Sequence, residues 1–174
     1  MRLMPGLYDL AAKLKSFVDG ATPRDELEAW AAAVLAADPL GVAESDHLPW
    51  EDAPEEERLF WRLLYALETS DAPDEALRAL GARALACLAA AGPADTLELL
   101  PLVADQPRLC TILARHRDGL VSRTGLLGVL ANSGYPPHVK LWLQHADAAA
   151  LARLCERMES GAWEEVARTV ERAP

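Results

Sequence analysis

The chain has 174 residues, 51% of them hydrophobic, with 27 acidic against 17 basic side chains and a formal charge of −10. That length fits one domain burying roughly 70% of its extended surface, and so much apolar material excludes a disordered acidic tail. The negative field also repels phosphate, which argues against a nucleic-acid binder.

Alanine and leucine dominate while Ile, Thr, Tyr and Phe are scarce, which favours helices over strands. The N-terminal stretch "MRLMPGLYDLAAKLKSF" carries Asp9, Lys13 and Lys15 where a signal peptide needs an uninterrupted apolar run. No apolar run in the sequence matches the roughly 18 residues of a membrane helix. The expected location is the cytoplasm.

In chain order, Leu7, Leu10, Leu14, Phe17 and Val18 mark one face of a first helix that stops at Gly20. A second comes next, with Thr22 as its expected cap, Pro23 at its first position and Asp25, Glu26 and Glu28 at the positive end of its dipole. Its core face is Leu27, Trp30, Ala31, Val34 and Leu35. A third presents Leu59, Phe60, Leu63, Leu64 and Leu67. The fourth presents Leu77, Leu80, Ala84, Leu85 and Leu88 and closes at Gly92-Pro93. Beyond it, six short helical patterns recur at Pro, Gly, Asn or Asp punctuation, "ADTLELLPLVA" and "QPRLCTILARHRDG" being the first two. The expected fold is one all-α domain over 1–174. Longer helices occupy 1–92, and 93–174 forms an array of short antiparallel helices, either HEAT-like or an irregular bundle.

Between the second and third helices lies an acidic segment. Residues 38–57 hold eight carboxylates and no cation, so nearly the whole net charge of −10 resides there. Pro39, Gly41, Pro49 and Pro54 forbid one continuous helix across it. Charge confined in this way steers cationic partners and speeds association. Trp50, flanked by Glu51 and Asp52, offers the aromatic anchor that binding interfaces favour, among carboxylates that suit Arg and Lys. The expected partner-binding residues are Asp46, Trp50, Glu51, Asp52, Glu55 and Glu56. The competing reading is a solvated loop with Trp50 tucked onto the helices.

Other chemistry finds little support. Glu44 and His47 have the Glu-x-x-His spacing of di-iron bundles, but such a site needs the motif twice, and no other histidine has a Glu three positions before it. His138 and His145 lie two turns apart, too far for one ion. No nucleophile elbow or phosphate loop is present. Cys87, Cys110 and Cys155 lack any framework spacing and read as core residues in a reducing compartment. Gly125 and Gly128 read as points of close helix packing. "ARLCERMESGAWEEVARTVERA" can be drawn as a helix-turn-helix, but Glu164 and Glu165 open its second helix and read a DNA groove poorly. The expectation is a non-enzymatic protein with no cofactor and no metal.

The run "LKSFVDGATPRDELEAWAAAVL" resembles the helical opening of small bacterial immunity proteins. In that family a first helix ends in Gly, and a second begins Ser/Thr-x-x-Glu/Asp and carries a Trp. The resemblance covers about 35 residues and implies an acidic face that plugs the basic cleft of a nuclease toxin. It assigns no individual residue here. The alternative expectation is a HEAT-like scaffold binding a protein partner through residues 94–174.

Overall fold

The computed structural model describes residues 6–37 and 55–171, which form eight helices and no strand, so the fold is all-α. In order these are α1 (Leu7–Val18), α2 (Arg24–Ala36), α3 (Glu55–Thr69), α4 (Asp74–Arg117), α5 (Arg123–Ala131), α6 (Pro137–His145), α7 (Ala148–Glu159) and α8 (Trp163–Glu171). The chain divides into two compact units, Met1–Leu85 and Ala86–Pro174.

In the first unit α1 packs on α2 and α3, and α2 on α3. The expected stripes supply the core: Leu10, Leu14 and Phe17, then Leu27, Ala31 and Val34, then all five leucine and phenylalanine positions of α3. Trp30 and Leu35 are only half-buried at the edge of their stripe. Trp61, off the expected face, is buried as well and meets Phe60 edge to face at 5.2 Å. Its indole N–H, like that of Trp163 in the second unit, has no acceptor among the described residues. Such a buried donor costs about 1–3 kcal/mol. Burying a ring of ~150–250 Å² at ~25 cal/mol per Å² gives back roughly 4–6, so burial wins.

The turn between α1 and α2 differs from expectation. Pro23 is the N-cap of α2 and gives no side-chain bond. Thr22 does not cap the helix. It is buried, and its hydroxyl pairs with that of Ser16 at 2.7 Å, while its N–H donates to the Ser16 carbonyl. Gly20, at φ +81°, turns the chain into this arrangement, a left-handed conformation that glycine adopts without steric cost.

Two arginines fasten the unit. Arg24, at the start of α2, donates to the carbonyls of Ser70 and Ala72 and pairs with Glu28 and with Asp74 at 3.2 Å. One guanidinium thereby holds the α3–α4 turn against α2. Arg78 of α4 lies 4.3 Å over the Phe17 ring and donates to the Phe17 carbonyl, a cation at the negative end of α1. The close approach of α4 to α1 falls at Gly81, where an added Cβ would meet Leu14 at 2.9 Å and Val18 at 3.0 Å.

Helix α4 breaks at Gly92 (φ +83°) and restarts with Pro93, as its sequence predicts. From Pro93 to Arg117 the sequence pattern predicts two short helices, but the chain forms one, containing Pro101 and Pro107. Each interior proline costs about 3 kcal/mol. Leu99, Leu102, Val103, Leu109 and Leu113 form one buried stripe through both, worth roughly 8–15 kcal/mol at about 1.5–3 per side chain. The stripe outweighs the breakers. α4 is also the one helix among the described residues long and apolar enough, by length and composition, to cross a membrane, with a mean hydropathy of 1.3 over 18 residues. That departs from the expectation of no such run, because abundant alanine raises hydropathy without forming a block of large apolar side chains.

In the second unit α5 packs on α6, and α8 on both α6 and α7. Trp163, Val166 and Val170 form the buried face of α8, and Leu151, Leu154 and Met158 that of α7. Buried Tyr135 donates its hydroxyl to Asp105 of α4, fixing the α5–α6 connection. Gly125 and Gly128 are exposed, contrary to their expected packing role. Gly128 has nothing within 4 Å of an added Cβ, and Gly125 meets only the adjacent Val121 and Ser122.

The two kinds of glycine give opposite outcomes. Gly81→Leu should destabilise the protein by about 1–3 kcal/mol through overpacking against Leu14 and Val18. Gly128→Ala should stabilise it by about 0.5–1 kcal/mol through helix propensity alone. Urea unfolding of the two variants checks both signs.

Candidate functional site

The acidic segment is met only at its end. Asp46, Trp50, Glu51 and Asp52, with the Glu44–His47 pair, lie outside the described residues. Glu55 and Glu56 form the start of α3, so the acidic run passes directly into a helix.

Where side chains are described, chemistry-bearing groups gather in the second unit, in a cavity of about 140 Å³ between the C-terminal half of α4 and α7. Two helical stripes build it. Cys110, Leu113, Ala114 and Arg117 succeed one another at helical spacing on α4, and Ala148, Leu151, Ala152, Cys155 and Glu159 do so on α7. Leu113 and Leu151 are buried, whereas the alanines are too short to fill the space between the helices. The Asp147 side chain caps α7 by accepting from the Ala150 N–H at 2.7 Å, which fixes where that stripe begins.

His116 closes one end. Its Nδ1 lies 2.8 Å from the Val121 carbonyl. A carbonyl only accepts, so Nδ1 carries the proton and Nε2 is the basic atom of the neutral ring. Gly119, at φ +76°, allows the turn that brings Val121 back to this position.

Cys110 and Cys155, both half-buried, stand within hydrogen-bonding reach of each other across the cavity. The bond from Cys155 holds the Cys110 thiol below the usual thiol range, against the opposing effects of burial and the Glu159 charge. The same bond pushes the Cys155 thiol up, as do burial and Glu159, while the Arg117 charge acts the other way. The contact therefore favours the thiolate of Cys110 over that of Cys155. Cys87 is different. Burial pushes its thiol up to about 11, with the Thr96 hydroxyl opposing, and it has no exposed surface. The expectation of core cysteines holds for Cys87, whereas Cys110 and Cys155 are only half-buried.

A second, open groove is lined by Trp142, Arg157, Glu165, Arg168 and Thr169. Its cations are paired. Arg157 bonds Glu165 at 3.1 Å and Thr169, and Arg168 bonds Glu164 at 2.9 Å. The Arg157 contacts tie α7 to α8, the Arg168 pair lies within α8, and both cations of the groove are already paired. His138 lies 3.8 Å from Glu98, and among the described residues no three His, Cys, Asp or Glu side chains converge as metal ligands.

Compared with protein-family models, curated proteins and solved structures, the chain matches none of them.

The burial of Cys87 has a pH signature. A folded-state thiol pKa of about 11, against an unfolded value of about 8.5, means the folded chain keeps a proton that the unfolded chain loses. The contribution is complete below about pH 8.5 and disappears as pH rises towards about 11. Wild type should therefore lose up to roughly 3 kcal/mol more than Cys87→Ala across that window. Urea unfolding at both ends of the window measures the difference.

Proposed function

We propose that the protein is a non-enzymatic, cytosolic interaction protein of the immunity or inhibitor kind, binding a basic protein partner such as a toxin. The observation that carries the reading is the charge map: eight carboxylates and no cation within residues 38–57, in a chain whose total charge is −10. The binding surface is Asp46, Trp50, Glu51, Asp52, Glu55 and Glu56. The patch draws in a cationic cleft through its long-range field, Trp50 supplies the apolar anchor, and the carboxylates hold Arg and Lys at contact. Inhibition follows from occlusion of the partner's cleft. No chemical step is needed.

A second reading, a HEAT-like scaffold that binds a protein through residues 94–174, is favoured by one observation. α8 packs on both α6 and α7, and α6 also on α5, the layering of stacked helices. Deleting residues 42–53 separates the two, since the scaffold keeps its partner and the acidic-surface binder loses it.

The partner is obtained by affinity capture from the native host and then purified. Its association rate with the wild-type chain should fall by about tenfold or more between low and physiological ionic strength. Replacing Glu51, Asp52, Glu55 and Glu56 by Lys should abolish binding with helicity by circular dichroism unchanged. An association rate indifferent to salt overturns the proposal.

A further inference from the structure

We propose that Cys110 and Cys155 form a reversible dithiol–disulfide site, open to low-molecular-weight disulfides through the cavity between α4 and α7. This modification site is independent of the acidic segment and lies wholly within the second unit.

Three observations carry it. The two thiols come from different helices yet line one cavity and interact with each other, so the sulfurs are neighbours that a bond of about 2.05 Å would join. Both line an opening of about 140 Å³ rather than a sealed core. At roughly 30 Å³ per water molecule, that space admits the sulfur end of a small molecule and excludes a folded protein. The alanines of the two stripes are the reason it is open, since leucine at Ala114 or Ala152 would fill it.

The chemistry is two exchange steps. The Cys110 thiolate attacks one sulfur of a small disulfide. The S–S bond of that disulfide breaks, a mixed disulfide forms on Cys110, and the first leaving thiolate takes a proton from water. Cys155 then gives up its proton and attacks the Cys110 sulfur, expelling the second small thiol. The dithiol loses two electrons and two protons, and one small disulfide becomes two small thiols. The roles follow from ionisation: Cys110, stabilised by the bond it accepts, is the nucleophile, and Cys155 resolves. Cys87 is fully buried and takes no part. In a reducing compartment such a bond is transient and reports the redox state. While present, it cross-links α4 to α7 across the cavity.

The test uses the full chain and bis(2-hydroxyethyl) disulfide, a small uncharged probe. The wild-type chain should lose the mass of two hydrogens, peptide mapping should place the new bond between Cys110 and Cys155, and a reducing thiol should reverse it. Cys155→Ser should stop at a stable adduct on Cys110. Cys110→Ser should form adducts at least about tenfold more slowly. A lasting probe adduct on the wild-type chain, a bond to Cys87, or equal rates in the two serine variants overturns the assignment. The wild-type mapping stands alone if either variant fails to fold.

Discussion

Every helix among the described residues depends on burying one apolar stripe. Helices of 9 to 15 residues, which seven of the eight are, are marginal in water by themselves. The packing of α1 to α3 around Leu10, Phe17, Leu27 and Leu64, and of α5 to α8 around Leu126, Leu143, Leu154 and Trp163, supplies what local propensity does not. The same requirement explains the prolines of α4. A stripe from Leu99 to Leu113 keeps one helix intact across Pro101 and Pro107, where local preference alone would end it twice.

The stripes are the part of the structure that can be read from sequence, because their 3.6-residue period is a local property. Leu59, Phe60, Leu63, Leu64 and Leu67 are buried as that period requires. Contacts between helices are not local, and there the reading fails. Gly81 faces Leu14 and Val18 from a distant helix, while Gly125 and Gly128 look equivalent in sequence and meet no other helix, Gly125 touching only Val121 and Ser122 of its own N-terminal turn and Gly128 nothing. Thr22 has the chemistry of a cap, yet its hydroxyl is drawn to Ser16 by the tight turn at Gly20. Cys110 and Cys155 lie on predictable stripes, but nothing in a single sequence sets the register of α4 on α7 that brings them together. Of the acidic segment the structure shows that its last residues, from Glu55, are helical.

The molecule thus carries two chemically distinct features. One is a long-range electrostatic feature written in the composition of residues 38–57. Charges are nearly balanced elsewhere, and arginines such as Arg24 and Arg157 are occupied in fastening helices. The field is therefore left to the one segment that has no cation of its own. The other is a short-range feature, a thiol pair in a cavity that small side chains leave open. The first suits recognition of a large cationic surface, and the second suits reaction with a small molecule.

Recognition through the acidic segment is tested most directly by amide hydrogen exchange of the chain with and without its captured basic partner. Exchange should slow across residues 38–57 on binding, with residues 94–174 unchanged. Protection spread over residues 94–174, with none in the acidic segment, would contradict it.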